Sequence, residues 1–494
     1  MARVSLRQVR IADKWLVMIA VTLGMFMSLM DSTIVNVAIP QMQRAFGADI
    51  QAVQWVVTIY MLTQAAVIPT APYLAKKFGG KRAYVWTLTA FLLGSLLCGF
   101  AWNLPSLVLF RLIQGIGGGI LLPLVMTLLY QAFPTAERGT AVSTMGIPLM
   151  VAPMLGPILG GYLVTAFGWP WAFFINVPLG IVAVTIAQKA LRHTPGVQEA
   201  RFDRTGFLTA AAGSATLLYA VSSITSGADS IGNVLLLWVG ILLLLTFVGI
   251  ELAKARRGQE PLLDLRRFRD RTFAFSGLAN VFVASARFGT VFLIPIYLQA
   301  LRQQTALQTG MILGMQALAT VMALPIGGQL ADRIGPRPVA LVGLTISASA
   351  AALMITLTLN TPMWMMVGIL ILVGAASALT RQISVSAMSQ IDKDEHKEVA
   401  NGSTILTVLH ATAAPMGVAL LSSMVQGQSQ RYAQSLAAEG VTGDLLQQQS
   451  TLLAMHNSFL IASCLVLTAT VAMGLVPKRN KRAIEQPTQP PHSS

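Results

Sequence analysis

Fourteen stretches of about 20 apolar residues, each long enough to cross a bilayer as a helix, run through this 494-residue chain. They lie near 15–38, 53–72, 83–101, 105–130, 139–166, 171–189, 205–226, 231–252, 273–298, 308–331, 338–359, 363–387, 401–424 and 456–476. Spans 5 and 6 are separated only by a Gly168-Trp169-Pro170 turn. Composition agrees, since charged residues make up 11% of the chain against roughly 25% in an ordinary soluble domain. So few charges cannot cover a water-soluble surface of this size. The fold class expected is an all-α integral membrane protein with 14 transmembrane helices.

The net charge of +15 would point to nucleic acid in a soluble chain. Here the basic residues sit between apolar runs, where topology explains them and no nucleic-acid partner is expected. With both termini on the cytoplasmic side, inner segments hold 28 of the 34 Lys and Arg residues. Three lie outside (Arg44, Arg302, Arg431) and three within spans (Arg111, Arg287, Arg381). That asymmetry is the positive-inside pattern of a multi-pass protein of the cell membrane. The first apolar run follows basic residues, as in a signal peptide, but it is too long, carries Asp31 and has no small-residue cleavage site. It is expected to remain as span 1. Cys98 and Cys464 both sit in apolar stretches, which argues against a disulfide framework or a thiolate metal site.

The chain also repeats itself. Pro72-Tyr73-Leu74-Ala75-Lys76-Lys77-Phe78-Gly79-Gly80-Lys81 aligns with Gly328-Gln329-Leu330-Ala331-Asp332-Arg333-Ile334-Gly335-Pro336-Arg337 at an offset of 256. The same offset carries the start of span 1 to within two residues of span 9. The expected organisation is a six-helix bundle over 1–192, two inserted helices over 193–258, a second six-helix bundle over 259–476 and a polar cytoplasmic tail over 477–494. Two similar halves around a midplane site are typical of secondary transporters. The outer segment 425–455, rich in Gln and Ser, and the tail both read as solvated or disordered.

Ionisable side chains inside spans are costly and mark function. Those noted are Asp31, Arg111, Arg287 and Arg381, with His410 near the middle of span 13. Asp31 is the acid of the set. A carboxyl in apolar surroundings holds its proton more tightly and a nearby cation loosens it, so such a group can exchange protons near neutral pH. The alternative is a structural Asp held by Ser32, Thr33 or the backbone. Arg111 falls in the outer half of span 4, as Asp31 does in span 1, so the two can meet at similar depth. The alternative is an Arg snorkelling to headgroups. The glycines that follow, Gly115 to Gly119, favour close helix contact. In span 5, Gly146, Pro153, Gly156, Pro157, Gly160 and Gly161 suggest a bent helix at a moving interface, because proline breaks the backbone ladder and glycine permits tight packing. Adding 256 to Asp31 gives Arg287. The two are therefore expected to face a central cavity at like depth and to pair when it is occluded. With Arg381 and His410 they form the candidate substrate cavity. Three interior Arg against one Asp would favour anionic, zwitterionic or neutral amphiphiles.

These segments resemble the drug:proton antiporter-2 family of the major facilitator superfamily, the fourteen-span exporters. The resemblance rests on Leu29-Met30-Asp31-Ser32-Thr33-Ile34-Val35-Asn36-Val37-Ala38-Ile39-Pro40, on Arg111 to Gly119, and on Gly156 to Gly161. Trp171-Ala172-Phe173-Phe174-Ile175-Asn176-Val177-Pro178-Leu179-Gly180 and Pro261-Leu262-Leu263-Asp264-Leu265-Arg266-Arg267-Phe268 are also similar to family text. The resemblance implies the major facilitator fold, drug or metabolite efflux driven by protons, and a coupling role for Asp31 and Arg111. One departure stands out. Where the family carries an Asp in the loop after span 2, this chain has Lys76, while the second copy keeps Asp332-Arg333. The family's inner-side latch is therefore expected to fall to Asp332; alternatively, Lys76 and its basic neighbours are only topology charges.

Enzyme chemistry finds no support: the five His residues are scattered, and neither a His-Glu-x-x-His pair nor a phosphate-binding loop occurs. With no nucleotide site, the energy must come from an ion gradient, and no cofactor beyond protons is expected. The leading expectation is a proton-coupled exporter of amphiphilic small molecules working by alternating access. The alternatives are a dedicated exporter of one native metabolite or siderophore on the same fold, and a non-transporting membrane sensor or assembly subunit.

Overall fold

The computed structural model describes residues 11–133, 137–191, 203–225, 231–257, 263–388 and 396–477. Among them the regular structure is helical throughout, and fourteen helices are long and apolar enough to cross a membrane. The first half comprises α1 (Ile11–Phe46), α2 (Ile50–Val67), the short α3 (Ala71–Phe78), α4 (Gly80–Gly99), α5 (Leu104–Ala132), α6 (Arg138–Phe167), the single turn α7 (Trp171–Phe174) and α8 (Asn176–Ala190). The inserted pair is α9 (Arg204–Thr225) and α10 (Ile231–Arg256). The second half comprises α11 (Arg271–Ile296), α12 (Ala306–Ile334), α13 (Pro336–Met354), α14 (Met363–Thr380), the short α15 (Gln382–Met388), α16 (His396–Ala438) and α17 (Gly443–Gly474). The bundle boundaries expected near 192 and 258, and the tail from 478 on, lie outside the described residues.

Helix starts follow ordinary capping chemistry, in which a side-chain oxygen satisfies a first-turn N–H. Asp49 accepts from Ala52 N (2.7 Å), and Asn103 with Ser106 and Thr305 with Gln308 form reciprocal boxes at α5 and α12. The internal repeat is visible in backbone geometry. Gly79 (φ 81°) and Gly335 (φ 91°), 256 residues apart, turn the chain between α3 and α4 and between α12 and α13 in the left-handed half of φ space, where glycine alone is unstrained. Two residues on, Lys81 donates to Gln188 O at the end of α8, and Arg337 donates to Met473 O and Gly474 O at the end of α17. Each cation thus caps the last turn of its own half's sixth span, at the negative end of the helix dipole.

Segment 425–455 departs from expectation. α16 runs on to Ala438 and α17 starts at Gly443, so only a tight turn separates them. The segment is helical, and Gln428 helps pair the two long helices: Asn457 Nδ2 donates to Gln428 Oε1 (2.7 Å) and Tyr432 Oη (2.8 Å), while Gln434, Ser435 and Gln447 stay exposed.

One apolar core runs through both halves. The halves close on each other at the end of the molecule away from Lys76, Lys81, Arg333 and Arg337. There Gln299 Nε2 donates to Val37 O (2.9 Å) and Leu307 N to Thr165 Oγ1 (3.0 Å). The insert leans on this seam. α9 packs against α2 of the first half and α16 of the second, joined by Gln54 Nε2 to Ser222 Oγ (2.8 Å) and Ser222 Oγ to Ser423 Oγ (2.9 Å). α10 leaves Leu235, Trp238, Leu242 and Leu245 exposed, as a lipid-facing helix does.

Candidate functional site

Asp31 sits on α1, fully buried, with Arg111 at 1% exposure beside it. Arg111 Nη1 donates to Asp31 Oδ2 (2.6 Å), while Gln114 Nε2 and Asn176 Nδ2 both donate to Asp31 Oδ1 (2.8 Å each). Both carboxylate oxygens are therefore occupied, as a charge in low dielectric requires. Arg111 is held in turn by Val56 O (2.9 Å) and Gln114 Oε1 (2.8 Å), and its guanidinium lies 3.9 Å from the Tyr60 ring centroid. Asn176 is oriented by Ser95 Oγ (3.1 Å), which itself donates to Phe173 O. The network draws polar groups from five helices (α1, α2, α4, α5 and α8), so it forms only when the first half is assembled.

Gln114, Asn176 and Tyr60 were not singled out by sequence. Their signal was present: Gln114 lies one helical turn after Arg111 on the same face, and Asn176 is an amide amid apolar residues at the start of its span. What sequence lacked was the fact that α8 faces α1.

The helix around Asp31 carries two close approaches. A Cβ on Gly156 would lie 2.0 Å from Thr33 Oγ1 and one on Gly160 would lie 2.5 Å from Ile34 Cγ1, so α6 rests directly on the Asp31 turn. Farther along α6, Gly161 and Pro157 meet the second half: a Cβ on Gly161 would lie 2.5 Å from Ala306 O, and one on Gly310 2.0 Å from Pro157 O. Pro153 and Pro157 lie inside this helix, as does Pro148. Gly146, by contrast, has no described atom within 4 Å of where its Cβ would be.

A cavity of about 220 Å³ lies between the halves. Ser28, Ser32 and Gln64 line it from the first half, and Phe288, Thr407 and His410 from the second, amid Met25, Leu29 and Met61. Asp31 is not on its wall. Tyr60 stands between: its ring covers Arg111, and its hydroxyl meets Ser28 Oγ (3.3 Å), which lines the cavity.

The expected Asp31–Arg287 pair is not formed. Arg287 Nη2 donates to His410 Nε2 (2.9 Å), which makes that ring nitrogen an acceptor, and the guanidinium lies 4.9 Å from the Phe288 ring. The pseudo-symmetry is real but acts differently. Asp31 points into its own bundle toward α4, α5 and α8, and Arg287 lines a small pocket of about 20 Å³ among α11, α13, α14 and α17, the equivalent helices. That volume fits one water, and Thr290, Ser347, Ser377 and Thr380 contribute hydroxyls to a largely apolar wall. Of the four residues expected in the cavity, His410 lines it. Arg381 is exposed in the turn between α14 and α15, within electrostatic reach of Arg287 and His410. Asp332 and Arg333 are exposed and have no ion pair among the described residues, so the latch expected of Asp332 is not engaged here.

The Major Facilitator Superfamily model matches residues 21–408 and again 275–491, the second match overlapping the internal repeat. The "Multidrug resistance protein B homolog" of Mycobacterium tuberculosis (strain ATCC 25618 / H37Rv) is 33% identical over 412 residues, covering 82% of this chain and 75% of that protein. "Riboflavin transporter RibZ" of Clostridioides difficile (strain 630) is 29% identical over 449 residues, covering 91% and 96%. Among solved structures, a bacterial homologue of the human lysosomal transporter Spinster, in an inward-facing and unoccupied conformation, superposes with a TM-score of 0.69 at 16% identity, covering 94% of this chain and 97% of that one.

Proposed function

This chain belongs to the major facilitator superfamily, and from that premise we propose that it is a proton-driven exporter of amphiphilic small molecules. The transporter fold and the multi-pass membrane setting are given by the family; export, proton coupling and substrate class are the proposal. Asp31 carries it: a carboxylate with zero exposure, bonded to Arg111, Gln114 and Asn176, on a helix that lines the cavity. A proton arriving there removes the charge that Arg111 and the two amides are arranged to hold. The strain falls on α1 where α6 rests on it, and α6 also touches the second half through Gly161 and Gly310. Proton binding and closure between the halves therefore act on one rigid element, which is what exchange of a proton for a substrate needs.

The positive-inside pattern would put the basic face in the cytosol and the closed contacts outside, and the direction, export, rests on the likeness to the homologue named for multidrug resistance. The cavity supports the substrate class. Its wall is apolar with hydroxyl, amide and imidazole groups, its carboxylate is withdrawn behind Tyr60, and Arg287 backs His410. Such a site suits neutral or anionic amphiphiles better than strong cations. The homologue named for multidrug resistance favours a broad range. The relative named as a riboflavin transporter, together with five polar side chains in a small cavity, favours a second reading as a dedicated metabolite exporter.

The experiment is a compound panel on purified protein in liposomes carrying a pH-sensitive dye. An exported compound moves protons the opposite way across the membrane, and neutral and acidic compounds give the response. Transport with no accompanying pH change removes proton coupling. A response confined to quaternary ammonium dyes removes the charge preference.

A further inference from the structure

A second buried carboxyl lies far from Asp31, at the basic end of the inserted helices. Glu251, near the end of α10, has zero exposure. Its Oε2 accepts from Leu263 N (2.9 Å), tying α10 to the segment that leads into the second half. Its Oε1 has no hydrogen-bond donor among the described residues, and neither does Asp203 Oδ2. These two oxygens converge on one point: a Cβ on Gly206 would lie 2.5 Å from Asp203 Oδ2 and 2.6 Å from Glu251 Oε1. The two carboxyls therefore face each other across one small gap, and a hydrogen bond between them needs a proton on one.

Charge balance leads to the same place. Among the described residues the cation at the pair is Lys254, whose ammonium is committed to Asp203 Oδ1 and Thr205 Oγ1 and stands 4.0 Å from Glu251 Oε1. Two carboxylates against one ammonium leave a net negative charge beside Leu263, which packs with Phe247 and Phe273. Such a charge is expensive to bury, and close carboxyls relieve it by sharing a proton. Among the described residues no other ion pair reaches the two carboxyls. On the adjoining segment Asp264 and Arg266 are paired with each other (2.7 Å), and the neighbouring parts of α11 and α16 present Phe273, Ile405 and Leu406. Burial works against charge on Asp203, yet hydrogen bonds from Lys254, the Gly206 N–H and Glu251 hold its carboxyl below the ordinary range. Glu251 is then the donor.

We propose that Asp203 and Glu251 form a proton-binding site that holds one shared proton at the basic end of the insert, separate from the Asp31 network. The proton sits on Glu251 Oε1 and is donated to Asp203 Oδ2. It keeps Glu251 buried, and with it the tether to Leu263, whose side chain packs on the ends of α11 and α16. Loss of the proton leaves two facing carboxylates, which must separate, and the tether loosens. The insert thereby becomes a pH-responsive strap on the second half. The unfolded chain ionises both acids at neutral pH, so the folded state binds the extra proton and its stability falls as pH rises.

Glu251→Gln separates this from a merely structural acid, because its amide can donate to Asp203 while its carbonyl still accepts from Leu263. Infrared spectroscopy of the wild type at neutral pH should contain a protonated-carboxyl carbonyl band that is lost in Glu251→Gln. Asp203→Asn, whose amide supplies the missing donor, should lose it too and serves if the first variant folds poorly. The wild-type Tm should fall by roughly 2 °C or more between neutral and alkaline pH, while both variants stay level. A band that survives in both variants overturns the site. Wild-type and variant Tm values that fall in parallel overturn its hold on the tether. Neither readout depends on transport, so the result stands apart from the fate of the exporter proposal.

Discussion

Consider Asp31→Asn. The substitution is isosteric, yet three donors (Arg111 Nη1, Gln114 Nε2 and Asn176 Nδ2) then share one amide oxygen where two carboxylate oxygens stood. Whichever way the new amide turns, its NH₂ group faces a donor. Arg111 keeps Val56 O and Gln114 Oε1 but is left as a cation at 1% exposure without a counter-charge. Removing one member of a buried ion pair costs about 3–5 kcal/mol, on the order of a 10²- to nearly 10⁴-fold fall in the folded-to-unfolded ratio at about 1.4 kcal/mol per tenfold. Arg111→Met should cost a similar amount by stranding the carboxylate. The double variant strands neither charge, and neutral replacement of a buried pair is often close to harmless. It should therefore be more stable than either single variant, with a coupling energy of about 3 kcal/mol. Equilibrium unfolding of the four proteins in a denaturing detergent series measures this cycle. Additivity of the two single losses to within about 0.5 kcal/mol would refute the claim that Asp31 and Arg111 act as one desolvated pair.

Other outcomes follow from the same geometry. Gly310→Val should hold the halves apart, since its Cβ would lie 2.0 Å from Pro157 O; a disulfide engineered between Thr165→Cys and Leu307→Cys should form in the parent and fail in that variant. Arg337→Ala should cost about 0.3–1 kcal/mol of stability through the lost cap on α17, and Lys81→Ala a similar amount at α8, read as matched shifts in unfolding midpoint; a large effect at one site alone would argue against their equivalence. His410→Gln should change the substrate range while leaving the pH dependence of transport as it was, because His410 Nε2 serves as acceptor to Arg287; a displaced pH profile would give His410 a proton-carrying part.

The spans, their count and the repeat were legible in sequence because each depends on local composition or on self-similarity, and both survive without knowledge of packing. Asp31 with Arg111 was legible for a similar reason: charges in apolar spans are scarce, and depth along a helix can be counted by residue. What could not be counted was azimuth. The offset of 256 matched Asp31 to Arg287 correctly as equivalent positions, but whether equivalent residues face each other or face into their own bundles depends on helix rotation, and they face inward. Glu251 escaped notice because it lies at the end of its span beside Lys254, where a charge looks like an ordinary membrane-edge residue; only the fold of the Leu263 segment over it makes it buried. The Gln- and Ser-rich stretch after span 13 was misleading because polar composition was read as disorder, when the segment is helical and Gln428 helps pair two long helices.

The central claim is that the Asp31 carboxyl carries the coupling proton, and uphill transport in liposomes tests it most directly. With an imposed pH gradient and a compound the wild type exports, each exchanged proton supports about a tenfold substrate gradient per pH unit, or 1.36 kcal/mol. The Asp31→Asn/Arg111→Met protein, compared at matched fold stability, should exchange substrate down its own gradient and concentrate none of it. Accumulation by that variant to the wild-type level would contradict the account.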